Sequence, residues 1–282
     1  MLKVKNLQKN YSAFHLNCSL EVREGMITGL IGANGAGKTT LFKSILGLIS
    51  IEGGEVSVLG TDSAGLGRAE KEQLGVVLTE SGFSGYLTVK KIVPILASLY
   101  SRFDRSEFLS QCRHFQLPMD KMIKDFSTGM RAKLNVLIAM SHDAKLLILD
   151  EPTSGLDVLA REELLDMMRN YMEEPGRAIL ISSHISSDLE GLCDNLYMIH
   201  EGKIVFHEDT DVLLDEYGVL KLTKEQYDGM DKEHLLYRRE ESFGVACLTD
   251  RKQFFLDNYP QLVVEKGKID DLLLMVEKGV RV

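Results

Sequence analysis

Hydrophobic and polar residues alternate with two different periods along the first part of the chain. Residues 15–22, "HLNCSLEV", alternate apolar and polar side chains, which is typical of a half-buried strand. The apolar runs "MITGLI" (26–31), "AKLLILDEP" (144–152) and "AILISSH" (178–184) predict buried strands. Because helical patterns separate these runs, the sequence predicts an α/β domain with a parallel sheet.

The helical patterns are concentrated between residues 88 and 140. Three stretches there have helical periodicity: "TVKKIVPILASLYSRF", "RSEFLSQCRHF" and "GMRAKLNVLIAMSHD". Residues 39–49 predict another helix. A further one follows Asp157, and its apolar face holds Leu164, Leu165, Met168, Tyr171 and Met172. We therefore expect a helical insert over residues 88–140 within a domain of residues 1–217.

The last part of the chain has a different pattern. "LYMIHEGKIVF" (196–206) predicts a hairpin around Glu201 and Gly202. Short strand-like runs, "VLKLT", "LLYRRE", "FGVACLTD" and "LVVEKG", then alternate with short helical segments. Residues 218–282 are therefore predicted to form a small α+β appendage.

Composition restricts the classes of partner. The chain has 282 residues, of which 44% are hydrophobic, and a formal net charge of -9. An acidic surface disfavours nucleic acid as the main partner, because the phosphate backbone attracts basic proteins. We expect neither a signal peptide nor a membrane span, since the N-terminus lacks an apolar segment and the apolar runs are too short. The four scattered cysteines predict buried, reduced thiols.

One glycine-rich segment carries a phosphate-binding motif. "GANGAGKTT" fits the pattern G-x-x-x-x-G-K-[ST], and it follows a predicted strand and opens a predicted helix. Backbone N–H groups of such a loop surround phosphate oxygens, while Lys38 reaches the β- and γ-phosphates and Thr39 holds Mg²⁺. The predicted nucleotide-binding residues are Gly32, Ala33, Asn34, Gly35, Ala36, Gly37, Lys38, Thr39 and Thr40.

Acidic residues end the strand "LLILDE". Asp150 and Glu151 lie at the carboxyl end of a buried strand, where ligands bind in open α/β sheets. Asp150 suits a place at Mg²⁺, and Glu151 suits a base that accepts a proton from attacking water. His184, after the next strand, is a candidate for a γ-phosphate contact. Structural roles are the alternatives: a strand end for the acids and a satisfied core position for His184.

A second anion site is predicted at "FSTGM" (126–130). Ser127, Thr128 and Gly129 form a turn that runs into a helix, and helix N-termini bind anions through free N–H groups. An ordinary serine cap is the alternative for this pentapeptide. Asp157, at the end of "TSGLD", likewise reads as a helix cap or as part of a binding site.

With these motifs in order, the chain resembles the nucleotide-binding subunits of ATP-binding cassette (ABC) transporters. The motifs are "GANGAGKTT", "FSTGM", "LLILDE", "SGLD" and "SSH", and the resemblance covers about residues 1–217. It implies a P-loop NTPase cassette with a mixed sheet core, a β-subdomain and a helical subdomain. It also implies that two cassettes pair head to tail around ATP and Mg²⁺, with the signature loop of one capping the ATP of the other.

The resemblance assigns further roles and partners. Tyr11 matches the aromatic position against adenine, His184 the switch histidine, and Asp157 the loop that contacts the opposite site. The family implies a second cassette subunit, homo- or heteromeric, and an integral membrane permease, with the chain on the cytoplasmic face of the membrane. The acidic "VVLTES" loop and the short appendage suggest the exporter group that includes bacitracin-resistance-type and other ABC-2-like systems.

Two positions depart from the family pattern. Thr79, followed by Glu80, stands where the family has a glutamine that reaches Mg²⁺ and the attacking water. The shorter Thr79 puts the timing of hydrolysis in doubt, and Glu80 is the residue that could reach instead. In the signature loop, usually Leu-Ser-Gly-Gly-Gln, Thr128 adds a Cβ and Met130 replaces the glutamine. We expect the two cassettes to close around ATP more slowly, while the function of the subunit is retained.

The sequence leaves three rival functions to compare with the transporter role. A soluble ABC-type ATPase that acts on ribosomes or nucleic acid conflicts with the single cassette, the acidic charge and the short distance between Lys38 and Ser127. A binding module without turnover would leave the complete set of hydrolytic residues unexplained. A GTPase or kinase would require an explanation for "FSTGM", and the chain has no Asn-Lys-x-Asp guanine motif.

Overall fold

The computed structural model describes residues 1–79, 82–242 and 244–282, and two β-sheets organise them. The strands of the first sheet are β1 (Leu2–Tyr11), β2 (Phe14–Val22), β3 (Ile27–Ile31), β4 (Gly53–Val58), β5 (Thr61–Asp62), β6 (Leu74–Val77), β7 (Leu146–Asp150), β8 (Ala178–Ser183), β9 (Asn195–His200) and β10 (Lys203–Asp209). The strands of the second sheet are β11 (Gly218–Leu222), β12 (Tyr237–Glu241), β13 (Gly244–Thr249), β14 (Val263–Lys266) and β15 (Val280–Arg281).

Helices pack against both sheets. They are α1 (Lys38–Ile45), α2 (Arg68–Lys71), α3 (Val89–Leu99), α4 (Arg105–His114), α5 (Thr128–Met140), α6 (Val158–Met172), α7 (Ser186–Glu190), α8 (Thr210–Glu216), α9 (Lys224–Gly229), α10 (Lys252–Asn258) and α11 (Ile269–Lys278). Within the part of the chain that the structure describes, none of these helices has the length and apolar content that a membrane crossing requires.

The first sheet is mixed, in the order β5-β4-β1-β2-β10-β9-β3-β8-β7-β6. Strands β9, β3, β8, β7 and β6 pair in parallel, whereas β1 pairs with β2 and β4 in antiparallel orientation. Every residue of β3, β7 and β8 is buried, since hydrophobic clusters cover both faces of the sheet. The parallel sheet predicted from the apolar runs is therefore one part of a larger α/β structure.

The predicted helical stretch from 88 to 140 contains α3, α4 and α5. Apolar residues of these helices, including Val89, Leu96, Phe108 and Leu134, belong to the same core cluster as Leu149 of β7. Shared apolar packing fixes α5 on the sheet, and α5 begins at the predicted signature loop. The short helix α7, which follows β8, ends at Glu190.

Residues 218–282 form a sheet covered on both faces. Its order is β14-β11-β13-β12-β15 with antiparallel pairing throughout, and α9 and α10 complete a β-α-β-β-α-β arrangement. Tyr227 and Phe255 from α9 and α10 fill one apolar cluster. On the other side, Ile269, Leu272 and Met275 of α11 belong to the main core cluster. The appendage thus shares its core with the rest of the chain.

Polar contacts also join α11 to the first sheet. Glu277 of α11 lies 2.9 Å from His200 Nδ1 at the end of β9. Two residues on, the N–H of Gly202 donates to the carbonyl of Ala36 at 3.0 Å. The turn between β9 and β10 therefore contacts the C-terminal helix and the glycine-rich loop at once.

The four cysteines are free and buried, as the sequence predicts. Burial raises the pKa of Cys112 to about 11 and those of Cys18 and Cys247 to about 12. Burial also raises the pKa of Cys193. Thiols with such pKa values stay protonated at neutral pH, which makes them poor nucleophiles and poor metal ligands.

Gly75 provides a test of how α5 packs on the sheet. A Cβ at this buried position on β6 would meet the carbonyl oxygen of Ala139 and the side chain of Leu147. We expect Gly75→Ala to destabilise the protein by about 1–3 kcal/mol through overpacking. Thermal unfolding should show a lower Tm.

Gly65→Ala is the matched control, since a Cβ there meets no atom within 4 Å. Its effect should stay within about 0.5 kcal/mol. Equal Tm values for Gly75→Ala and Gly65→Ala would contradict the close packing of α5 on β6.

Candidate functional site

The glycine-rich loop connects the buried strand β3 to α1. Gly32 and Gly37 are required by space, and a Cβ at Gly32 would meet the carbonyl oxygen of Ile199. Gly37 has φ of 113° and a Cβ there would lie 2.7 Å from Phe14 Cζ. The backbone consequently comes close to neighbouring strands, and a glycine-rich turn of this kind before a helix is the cradle expected for phosphate.

Lys38 lies at the start of α1 with its ammonium directed back at the loop. The Nζ atom donates to the carbonyl of Gly32 at 2.6 Å and to that of Ala33 at 3.3 Å. It also lies 3.2 Å from Glu151 Oε1, and the Lys38 side chain is 6% exposed. The ammonium is thus fixed by the loop and by one carboxylate at the position where the motif requires it.

Asp150 ends β7 as a buried carboxylate surrounded by hydroxyl groups. Its side chain is 1% exposed. Thr39 Oγ1 donates to Asp150 Oδ2 at 2.7 Å and Thr79 Oγ1 donates to the same oxygen at 3.2 Å. Ser182 Oγ donates to Oδ1 at 2.7 Å. These donors satisfy a charge that burial would otherwise make unfavourable.

The oxygens of Thr39 and Asp150 fit a magnesium ion. Mg²⁺ prefers oxygen ligands and is commonly held by one or two protein groups together with substrate phosphates and water. Within the described ranges no group of three or more His, Cys, Asp or Glu side chains forms a metal site. Thr39 and Asp150 are the residues that would hold a Mg²⁺ ion bound together with a nucleotide.

Glu151 and His184 form a close pair at the edge of the sheet. Glu151 Oε2 accepts from the His184 N–H at 3.1 Å and lies 2.6 Å from His184 Nδ1. Its buried Oε1 has no hydrogen-bond partner among the described residues, although Lys38 Nζ is nearby. Glu151 also has φ of 51°, which is uncommon for a residue with a side chain. A carboxylate with one oxygen held and one unbonded can accept a proton.

These residues surround one cleft of about 580 Å³. Its predicted lining residues are Ala33, Asn34, Gly35, Gly37, Lys38, Thr39, Thr40, Glu151 and His184, and it is also lined by Phe14, Thr79 and Ser154. Phe14 and Ser154 were not among the predicted site residues. The signal for Phe14 was available, because an aromatic residue begins β2 directly after the turn that follows Tyr11.

Tyr11 lies at the end of β1 and is 46% exposed. Its ring centroid is 6.5 Å from that of Phe14, and Lys9 Nζ lies 5.5 Å from the Tyr11 ring. Phe14, and not Tyr11, lines the cleft. The adenine contact assigned to Tyr11 stays a prediction, and Phe14 offers a second ring on the same side of the site.

The predicted signature loop lies outside this cleft. Ser127 is the N-cap of α5, and its Oγ accepts from the N–H of Met130 at 3.2 Å. A Cβ at Gly129 would lie 3.1 Å from the Cβ of Ala160, so the loop packs against the start of α6. Asp157 caps α6 by accepting from the N–H of Ala160 at 2.9 Å.

The loop after β6 is described only in part. Thr79 contributes its hydroxyl to Asp150, whereas Glu80, predicted as the residue that could reach the metal instead, lies outside the described residues. Thr128, the other departure, has its Cγ2 3.8 Å from where a Cβ on Gly155 would lie. The signature loop and the turn before α6 are therefore neighbours on one surface.

Comparison with known proteins relates this geometry to a family. The family model described as "ABC transporter" matches residues 16–154. The lantibiotic transport ATP-binding protein SrtF of Streptococcus pyogenes is 34% identical over 219 residues, covering 75% of this chain and 92% of that protein. The bacitracin transport ATP-binding protein BcrA of Bacillus licheniformis is 33% identical over 288 residues, covering 100% of this chain and 91% of that protein.

Solved structures show the same fold. The structure titled as an ATP-binding subunit of an ABC transporter superposes with a TM-score of 0.68 at 29% identity, covering 76% of this chain and 91% of that chain. The dimeric cassette MJ0796 bound to ADP and Pi gives a TM-score of 0.66 at 19% identity, covering 74% of this chain and 99% of that chain. The family predicted from the motif order is thereby confirmed: the chain belongs to the ABC transporter family, as an ATP-binding and ATP-hydrolysing subunit.

Proposed function

We propose that two copies of this chain, or this chain and a related one, close on two ATP·Mg²⁺ and drive a separate membrane permease that works as an exporter. The proposal rests on two separate phosphate-binding segments of one chain, the glycine-rich loop and the signature loop, which lie apart and would complement each other across a dimer. Residues 33–35 and 37–40 line the cleft, while the serine cap at Ser127 lies outside it. A second subunit could supply the missing cap to each cleft.

The surface around the signature loop supports a second subunit. Val158 and Leu159, directly after Asp157, are 76% and 78% exposed. Exposed apolar side chains next to a helix N-terminus that can bind anions suit an interface that closes over a phosphate. Ser127 and Gly129 would then contact the γ-phosphate held by the other subunit.

Nucleotide binding would rearrange the contacts of Lys38. The ammonium is bound to loop carbonyls and lies beside Glu151, so phosphate oxygens would compete for it. When they do, Glu151 loses a cationic neighbour and its Oε1 becomes available to water. Arrival of the substrate thus prepares the base.

The hydrolytic roles follow from this arrangement. Thr39 and Asp150 would hold Mg²⁺, which when bound stabilises negative charge on the phosphate oxygens. Glu151 accepts a proton from the attacking water, and His184 orients Glu151 and contacts the γ-phosphate. Tyr11 or Phe14 contacts adenine.

The permease is inferred from relatives whose names describe transport of lantibiotics or bacitracin. Closure of the two subunits would move the helical region from 88 to 140, and that movement would be transmitted to membrane helices. The chain would accordingly lie on the cytoplasmic face of the membrane, bound through the permease. The net charge of -9 again disfavours a nucleic-acid target.

Glu151→Gln tests the base. The substitution keeps the shape and removes the proton acceptor, so kcat should fall by about 100-fold or more. The variant should still bind ATP and become a dimer in ATP·Mg²⁺, as measured by phosphate release and by light scattering after gel filtration. Glu55→Gln, at an exposed position of β4, removes the same charge away from the cleft and should behave as wild type. Wild-type turnover in Glu151→Gln would exclude Glu151 as the base.

Lys38→Ala tests the phosphate cradle. Loss of a charged hydrogen-bond donor costs about 1.5–3 kcal/mol, so the Kd for ATP should rise by roughly 10-fold or more. Titration calorimetry measures this directly. Lys5→Ala, at an exposed position of β1, is the charge-matched control. If Lys38→Ala binds ATP as tightly as Lys5→Ala, the assignment of the glycine-rich loop is wrong.

Affinity purification tests the permease. The tagged chain, isolated from detergent-solubilised cells of its source, should carry a polytopic membrane protein in stoichiometric amount, identified by mass spectrometry. A second cassette protein in the same sample would indicate a heteromeric ATPase. Recovery of ribosomes or nucleic acid in place of a membrane protein would support the soluble ATPase alternative and refute the transport role.

A further inference from the structure

Ser182 is a buried serine that the proposed mechanism does not yet use. It lies on β8 directly opposite Asp150 in the parallel pairing with β7. Its side chain is 0% exposed, and Ser182 does not line the cleft. A polar group at such a position is maintained only if its hydrogen bonds are made.

The hydroxyl of Ser182 makes two hydrogen bonds at once. Its proton is donated to Asp150 Oδ1 at 2.7 Å, and its oxygen accepts the N–H of Glu151 at 3.0 Å. One serine therefore contacts both residues of the acidic pair, the first through the side chain and the second through the backbone.

The two oxygens of Asp150 are held from opposite sides. Thr39 and Thr79 both donate to Oδ2, whereas among the described residues the hydroxyl donor to Oδ1 is Ser182. Rotation of the carboxylate about its Cβ–Cγ bond would break these bonds together. Without Ser182 the Oδ1 side would be unrestrained.

The backbone of Glu151 needs similar support. Its φ of 51° lies in the left-handed region, which costs of order 1–3 kcal/mol for a residue with a side chain. The Glu151 N–H is shared between Ser182 Oγ at 3.0 Å and the Ser182 carbonyl oxygen at 3.2 Å. This backbone conformation directs the carboxylate toward Lys38 and His184.

We propose that Ser182 is a positioning residue for ATP hydrolysis, whose one hydroxyl fixes the Asp150 carboxylate and the left-handed backbone of Glu151 together. The proposal rests on the roles given above to Asp150 and Glu151. Ser182 does not line the cleft, and it acts through the two acids. Groups that orient metal-binding or catalytic residues typically contribute about 10–100-fold to metal affinity or activity.

Ser182→Ala removes the hydroxyl and leaves the fold of β8 intact. We expect kcat to fall by about 10–100-fold while the KM for ATP stays within about threefold, because the glycine-rich loop still holds the phosphates. Equilibrium binding supplies a second readout. Mg²⁺ should improve ATP binding less in Ser182→Ala than in wild type, as measured by calorimetry with ATP in the presence and absence of Mg²⁺.

Two further variants separate positioning from packing. Ser182→Thr keeps a hydroxyl and should restore most of kcat. Thr28→Val is the matched control on the neighbouring strand β3: Thr28 is 0% exposed, and its hydroxyl has no hydrogen-bond partner among the described residues. It should show wild-type kcat and a wild-type effect of Mg²⁺. Thermal unfolding of each variant identifies the folded fraction used to normalise the rates.

Wild-type kcat in Ser182→Ala would overturn the proposal, as would equal losses in Ser182→Ala and Thr28→Val. A folded Ser182→Thr variant as slow as Ser182→Ala would also overturn it. In these cases an inactive Glu151→Gln variant would leave the proposed function standing. An active Glu151→Gln variant would instead refute the role of Glu151, whatever Ser182 does.

Discussion

A single buried carboxylate, Asp150, organises the nucleotide site. A charge that is 1% exposed must be compensated inside the protein, since removing it from water is costly. Hydroxyls from three separate segments, at Thr39, Thr79 and Ser182, supply the compensation. Each segment is thereby brought to the carboxyl end of β7, and the cleft has its shape because these segments meet there.

The same constraint explains how the departure at Thr79 is accommodated. Thr79 has a shorter side chain than the glutamine of the family pattern, and its hydroxyl donates to Asp150 Oδ2. The side chain therefore supports the acidic strand from the side of β6. The energetic role of this position is to solvate a buried charge, a role that depends on a hydroxyl and not on side-chain length.

Much of the site could be predicted from the sequence because its chemistry is local. The glycine-rich loop, the acidic strand end and the capped helices are contiguous segments whose spacing fixes their geometry. The contacts of Ser182 and Thr79 with Asp150 could not be predicted, since they depend on the register between strands far apart in the sequence. Phe14 was missed for a related reason: the turn after Tyr11 decides which ring faces the cleft.

The fold, like the site, has elements that local sequence patterns predict and contacts that depend on pairing between distant segments. Apolar runs identified β3, β7 and β8, whose burial is complete, and periodicity identified α3, α4 and α5. The hairpin of β9 and β10 was predicted from its local pattern, whereas the pairing of β10 with β2 is long-range and left no such pattern. The core that the appendage shares with the rest of the chain could not be predicted either. The sequence of α11 indicates an amphipathic helix but not which residues its apolar face contacts.

The turn at Gly202 has a consequence for the order in which the protein can fold. Gly202 bonds to the glycine-rich loop near the N-terminus, and His200 beside it bonds to Glu277 near the C-terminus. During synthesis the loop leaves the ribosome long before either contact exists. Closing such distant contacts is entropically costly and slow. The nascent chain therefore carries a phosphate loop without the Gly202 hydrogen bond until β9 and the turn after it have been made.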